Sequence, residues 1–159
     1  MNFSFERQIN AANQDEAVKL CQKQQAQNGR GLVDVSKNSE WFERGVDLIE
    51  ETPQRQILID VKCDERIAET GNIAFELIEI CSYRGFVKRG WAYSEINYIF
   101  YVDWHKKINY IFHLATLRYD VFKKSRIGFA AYHPKESYFT LGVLVPLSEL
   151  RYKATNLLE

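Results

Sequence analysis

The chain has 159 residues, 46% hydrophobic and 26% charged, with 21 basic and 21 acidic side chains and a formal net charge of zero. Such a composition belongs to a soluble globular chain, and the length predicts a single domain over 1–159 with a sizeable core. No apolar run approaches the roughly 20 residues of a membrane span, and the balanced charge counts against a high-affinity non-specific nucleic-acid binder while leaving room for a local basic patch.

The N-terminal stretch MNFSFERQINAANQ lacks a basic region leading into an apolar one, so no secretory signal is expected. The three cysteines, Cys21, Cys63 and Cys81, show no C-x-x-C or Cys/His spacing. They predict a reducing cytoplasm and argue against a zinc site. Asn13 suits an N-cap, with Asp15 and Glu16 in a first turn, an apolar stripe at Ala17, Val18, Leu20 and Cys21, and stops at Gly29 and Gly31. The expected helix runs from Gln14 to Gln27. Leu32–Val35 is a short strand candidate, and Asn38–Arg44 a loop or helical turn.

The next stretch carries the chemistry. Two apolar runs, Gly45–Ile49 and Ile57–Val61, flank Thr52-Pro53-Gln54-Arg55. They predict two antiparallel strands joined by a turn. With period 2 along a strand, Ile57, Ile59 and Val61 share one face, and Leu58, Asp60 and Lys62 the other. Asp47 lies inside the first run. A buried charge without a partner is costly, so Asp47, Asp60 and Lys62 need one another or a cation. A buried ion-pair triad and a divalent-metal site are the two readings. Mg²⁺ takes one or two carboxylates together with waters and substrate phosphate, and a lysine beside them can hold the phosphate or position a water.

After Lys62 a polar connection, CDERIAETGN, ends in turn chemistry at Thr70-Gly71-Asn72. Ile73–Ser82 predicts a third strand, with Glu76 on an otherwise apolar side, either joining the acidic cluster or at a solvated edge. Tyr83–Trp91 reads as a basic, aromatic loop carrying Arg84, Lys88 and Arg89, suited to phosphates and bases or else simply solvated. Ile96–Val102 and Lys107–Leu114 predict a hairpin across Asp103–Lys106, Ala115–Lys124 a helix, and Ile127–Tyr132 and Tyr138–Val145 further strands. Ser148–Leu150 suggests a last helical turn. There is no H-E-x-x-H, P-loop, G-x-S-x-G or G-x-G-x-x-G. The element order predicts an α/β (α+β) chain with a central mixed sheet flanked by helices.

Gly45-Val46-Asp47, a hairpin, Asp60-Val61-Lys62, and then Asp64–Glu76 with its Thr-Gly-Asn step resemble the PD-(D/E)XK nuclease superfamily, in its small phage and bacterial branch. Val46 stands where that superfamily has proline. The resemblance implies a restriction-endonuclease-like core. It also implies a Mg²⁺- or Mn²⁺-dependent DNA endonuclease or exonuclease in which Asp47, Asp60 and the Val61 carbonyl bind metal and Lys62 positions water or phosphate. It makes Thr70 and Asn72 phosphate contacts and Glu16, on the first helix, an additional acid. Paired cutting of two strands would call for a homodimer. The alternatives are a catalytically inactive nuclease-like domain that binds nucleic acid or a protein partner, and an aromatic-rich structural subunit of a larger complex.

Overall fold

A computed structural model describes residues 3–81, 85–124, 126–133 and 138–157. In chain order the elements are α1 (Phe3–Gln27), β1 (Leu32–Asp34), α2 (Ser39–Glu43), β2 (Leu48–Glu51), β3 (Gln56–Asp64), α3 (Ile67–Thr70), β4 (Asn72–Cys81) and β5 (Phe86–Arg89). A 3-10 turn at Trp91–Tyr93 leads to β6 (Tyr98–Asp103), β7 (Ile108–His113), α4 (Leu114–Phe122), β8 (Ile127–His133) and β9 (Tyr138–Pro146). A second 3-10 turn, Leu147–Glu149, precedes β10 (Lys153–Asn156).

Ten strands make two sheets among the described residues. The larger has the order β1-β2-β3-β6-β7-β10 and the smaller β5-β4-β9-β8. Every neighbouring pair is antiparallel except β3 and β6, which run parallel with Asp60 beside Ile99 and Lys62 beside Tyr101. A parallel pair needs a long crossover. Here α3, β4, β5 and the first 3-10 turn supply it, so the chain builds half of the second sheet before returning beside β3.

The six-stranded sheet has apolar cover on both faces. Ala17, Val18 and Cys21 of α1 pack against Ile59, Val61, Phe100 and Val102 on one side. On the other, Ile99, Tyr101 and Phe112 meet Ile73, Phe75 and Val145 of the smaller sheet and Leu117 and Val121 of α4. The expected central mixed sheet is present, but a second sheet takes much of the cover on one face that helices were expected to provide. The buried Tyr101 hydroxyl links the layers: it donates to Asp64 at 2.6 Å and accepts from the Ala74 N–H at 3.2 Å.

Four local departures from the sequence reading have simple causes. The first helix begins at Phe3, not Gln14, because no Gly or Pro interrupts the chain before Gly29. Asn13 is therefore mid-helix, and its side chain donates to Glu65 at 2.8 Å instead of capping. Gly45 is not in a strand. It takes φ 68° after α2, its N–H and that of Val46 bonding back to Phe42 and Trp41, a helix-ending turn that favours glycine. The connection after β3 contains the short helix α3, and the basic segment expected as a loop contains the strand β5.

Candidate metal and phosphate site

The site forms where β2 ends and β3 continues. The pairing sets Leu48 opposite Ile59 and Ile49 opposite Leu58. Asp47, the residue just before this pairing, also donates its N–H to the Ile59 carbonyl, at 3.0 Å. Ile59 and Val61 face α1, so alternation along β3 puts Asp60 and Lys62 on the side turned away from it. Beyond Asp47 the main-chain ladder stops, and side chains complete it. The Val61 N–H donates to Asp47 Oδ2 at 2.8 Å. Gln14 of α1 donates from Nε2 to the Val61 carbonyl at 2.6 Å and accepts the Cys63 N–H at 3.0 Å.

Lys62 Nζ lies 2.9 Å from Asp60 Oδ2. Asp60 is 3% exposed, and burial pushes its carboxyl up to about 7; Lys62 pulls the other way and Asp47 adds to the rise. Burial also raises Asp47, opposed by the Val61 N–H and by Lys62. Burial works against the Lys62 charge, but Asp60, Glu76 and Asp47 outweigh it and hold the ammonium above its ordinary value. Lys62 therefore keeps its proton, and Asp60 is the group that titrates near neutral pH.

Glu76 arrives from the smaller sheet. It is raised by burial and steadied by Lys62. A register shift between Glu76 and Ile78 leaves Leu77 as an extra residue in the β4–β9 ladder. Three apart in sequence, Glu76 and Glu79 would point to opposite faces of an unbroken strand. The bulge turns both towards the same cleft, which has a volume of about 230 Å³ and is shared with Asp60, Lys62, Lys88 and Arg89. Gly90 closes on the bulge so tightly that a Cβ there would sit 2.4 Å from the Glu76 carbonyl oxygen. Lys88 pairs across the strands with Glu79, Nζ to Oε2 3.8 Å.

Of the residues singled out from sequence, Asp47, Asp60, Lys62 and Glu76 thus come together, and Lys88 and Arg89 line the same cleft. Glu16 does not join them: it is exposed on α1, which covers the opposite face of the sheet. Thr70 and Asn72 lie in the turn into β4. The Thr70 hydroxyl donates to the Arg66 carbonyl at 3.0 Å and accepts the Asn72 N–H at 3.2 Å, and neither residue lines the cleft. Arg84 lies outside the described residues. Sequence reasoning missed Gln14, Arg44, Glu79 and Tyr93, the last three of which line the cleft. Only Arg44 carried a signal, a cation directly before Gly45-Val46-Asp47.

Comparison with protein-family models, curated proteins and solved structures finds no match. The chemistry must therefore be weighed on the site itself. The cleft is lined by four carboxylates and four cations, but burial raises Asp60 and Glu76 within it and Asp47 behind it, a cost of keeping them ionised that a divalent cation would relieve. Among the described residues no three His, Cys, Asp or Glu side chains converge on one point. The protein would offer Asp47 and Asp60 and leave the remaining positions to water and phosphate, a donor set that fits Mg²⁺ or Mn²⁺. The Val61 carbonyl, expected as a third ligand, already accepts from Gln14.

Proposed function

We propose that the chain is a divalent-metal-dependent nuclease that hydrolyses phosphodiester bonds in DNA, built on a restriction-endonuclease-like core centred on β3. The observation that carries this reading is the juxtaposition of Asp47 and Asp60 across a strand pair, with Lys62 on the same face and open to a cleft. Asp47 and Asp60 would hold the metal. When bound, it supplies an activated water and charge to offset the phosphate in the transition state. Lys62, held protonated, serves as a cation for the scissile phosphate and not as a base. Arg89, with no ion-pair partner among the described residues, and Lys88 add positive charge along the strand path.

A second reading, a nuclease-like domain that binds without cutting, is favoured by one observation: Lys62 already neutralises Asp60 directly. Cleavage of mixed DNA substrates with Mg²⁺ or Mn²⁺ separates the two. Wild type is expected to cut, and Lys62→Ala to lose on the order of a hundredfold or more in rate, the loss typical of removing one preorganised transition-state donor. Equal cutting by Lys62→Ala refutes the mechanism, and DNA binding without turnover under any divalent metal supports the second reading.

A further inference from the structure

A second cavity, also of about 230 Å³, adjoins the acidic cleft. Its floor is apolar, with Val46, Leu58 and Ile96, and Arg44, Tyr93 and Ser94 belong to both cavities, so the two form one groove. Tyr93 is 46% exposed, and its ring stacks on Phe122 with centroids 6.4 Å apart. Phe122 in turn meets the buried Phe75 edge-on at 5.8 Å. The turn carrying Tyr93 is fixed from α4 by Arg118, which donates to the carbonyls of Ala92 and Ser94 at 2.5 Å each. Arg44 lies with its guanidinium 4.5 Å from the centre of the Trp41 ring and forms no ion pair among the described residues.

We infer that this second cavity receives one unpaired nucleobase next to the scissile phosphate, which makes the substrate a single-stranded or frayed nucleic-acid strand. The inference rests on the nuclease reading and refines it. An apolar floor and a fixed aromatic wall suit the face of a base, whatever its identity, and a free guanidinium at the junction suits the adjoining phosphate. The cavity is smaller than the roughly 300 Å³ at which drug-sized sites begin, so it admits one ring system and not a stacked pair. A base inside a duplex must first be unstacked and unpaired to enter, a cost that favours a single strand.

The test is fluorescence anisotropy with Ca²⁺ in place of Mg²⁺, using a labelled oligothymidylate, the same strand with abasic sugars, and a blunt duplex, each in DNA and RNA form. Wild type is expected to bind the base-bearing strand about tenfold tighter than the abasic one, as stacking of a base on an aromatic ring supplies. Tyr93→Ala should lose that factor and leave the abasic strand's affinity unchanged, while Tyr93→Phe keeps it. Tyr93→Leu preserves apolar bulk without a π face and serves if the alanine variant melts early. Equal binding of base-bearing and abasic strands, preference for the duplex, binding of none of the three, or an unchanged Tyr93→Leu protein overturns the inference. Cleavage by Asp60→Ala at the wild-type rate would strike the nuclease reading itself and not this cavity.

Discussion

Replacing Asp60 by Asn is expected to stabilise the metal-free protein. The carboxyl stands at about 7 in the folded chain against 3.8 when unperturbed, with burial as the main cause. Well below pH 3.8 the group is protonated in both states, and the substitution changes little. As pH rises, the unfolded chain releases the proton first, so the folded state loses stability until the pH passes about 7. Beyond that the deficit is constant, with an upper bound of about 4 kcal/mol from the conversion of pKa to free energy. Even a quarter of it, about 1 kcal/mol, moves Tm by roughly 2–4 °C in a chain of this size. Asp47 and Glu76, also raised by burial, add a slope of the same sign in both proteins; Asp47, coupled to Asp60, cancels only in part in the difference. The assay is thermal unfolding of wild type and Asp60→Asn in chelator from pH 4 to 8. The two curves should meet at low pH and diverge upward, with the variant higher. Adding Mg²⁺ or Mn²⁺ at pH 8 should raise Tm of wild type alone, because a cation binding the ionised site offsets its strain. An Asp60→Asn protein that melts at or below wild type at pH 8, with the same pH slope, would refute this reasoning. Asp60 would then be a well-satisfied partner of Lys62, and the ion-pair triad would replace the metal site.

Gln14→Ala leaves the Val61 carbonyl and the Cys63 N–H without their side-chain partner; a loss of about 1–3 kcal/mol is expected by chemical denaturation, and unchanged stability would show that water replaces the amide freely. Gly90→Ala places a methyl 2.4 Å from the Glu76 carbonyl oxygen; the bulge must move, costing roughly 1–3 kcal/mol by the same measurement, and an alanine variant as stable as wild type would mean the contact is slack.

The elements legible in the sequence are those with strong period or turn chemistry. Ile57, Ile59 and Val61 pack towards α1 and Leu58 faces the other way, as alternation predicts, and the β6–β7 hairpin follows two β-rich runs. What stayed hidden lacks a side-chain signal. β10 (Lys153–Asn156) is held by pairing with β7 and is largely exposed, so it shows no apolar pattern. β5 is an edge strand ending in Lys88-Arg89, and charge on an edge reads like a loop. The bulge at Leu77 is a single extra residue in a plausible strand. It reverses the phase beyond it, so Glu79, which unbroken alternation sets on the face opposite Glu76, joins it instead.

The acidic site follows from an unfinished ladder. Had β2 run four residues further towards its N-terminus, its register would have set Val46 opposite Val61 and Arg44 opposite Cys63, and no side chain would be needed there. Instead Gly45 turns the chain out of α2, and pairing begins only at Asp47. The Val61 N–H is left to the Asp47 carboxylate, and the Val61 carbonyl and Cys63 N–H to Gln14. One Asp47 oxygen is thereby fixed by the backbone, which orients the carboxylate towards Asp60. The same shortening exposes the Asp60–Lys62 face to residues arriving from β4 and β5. A strand that stops early thus does two things at once: it fixes a carboxylate by a main-chain bond, and it leaves open the cleft beside Asp60 and Lys62.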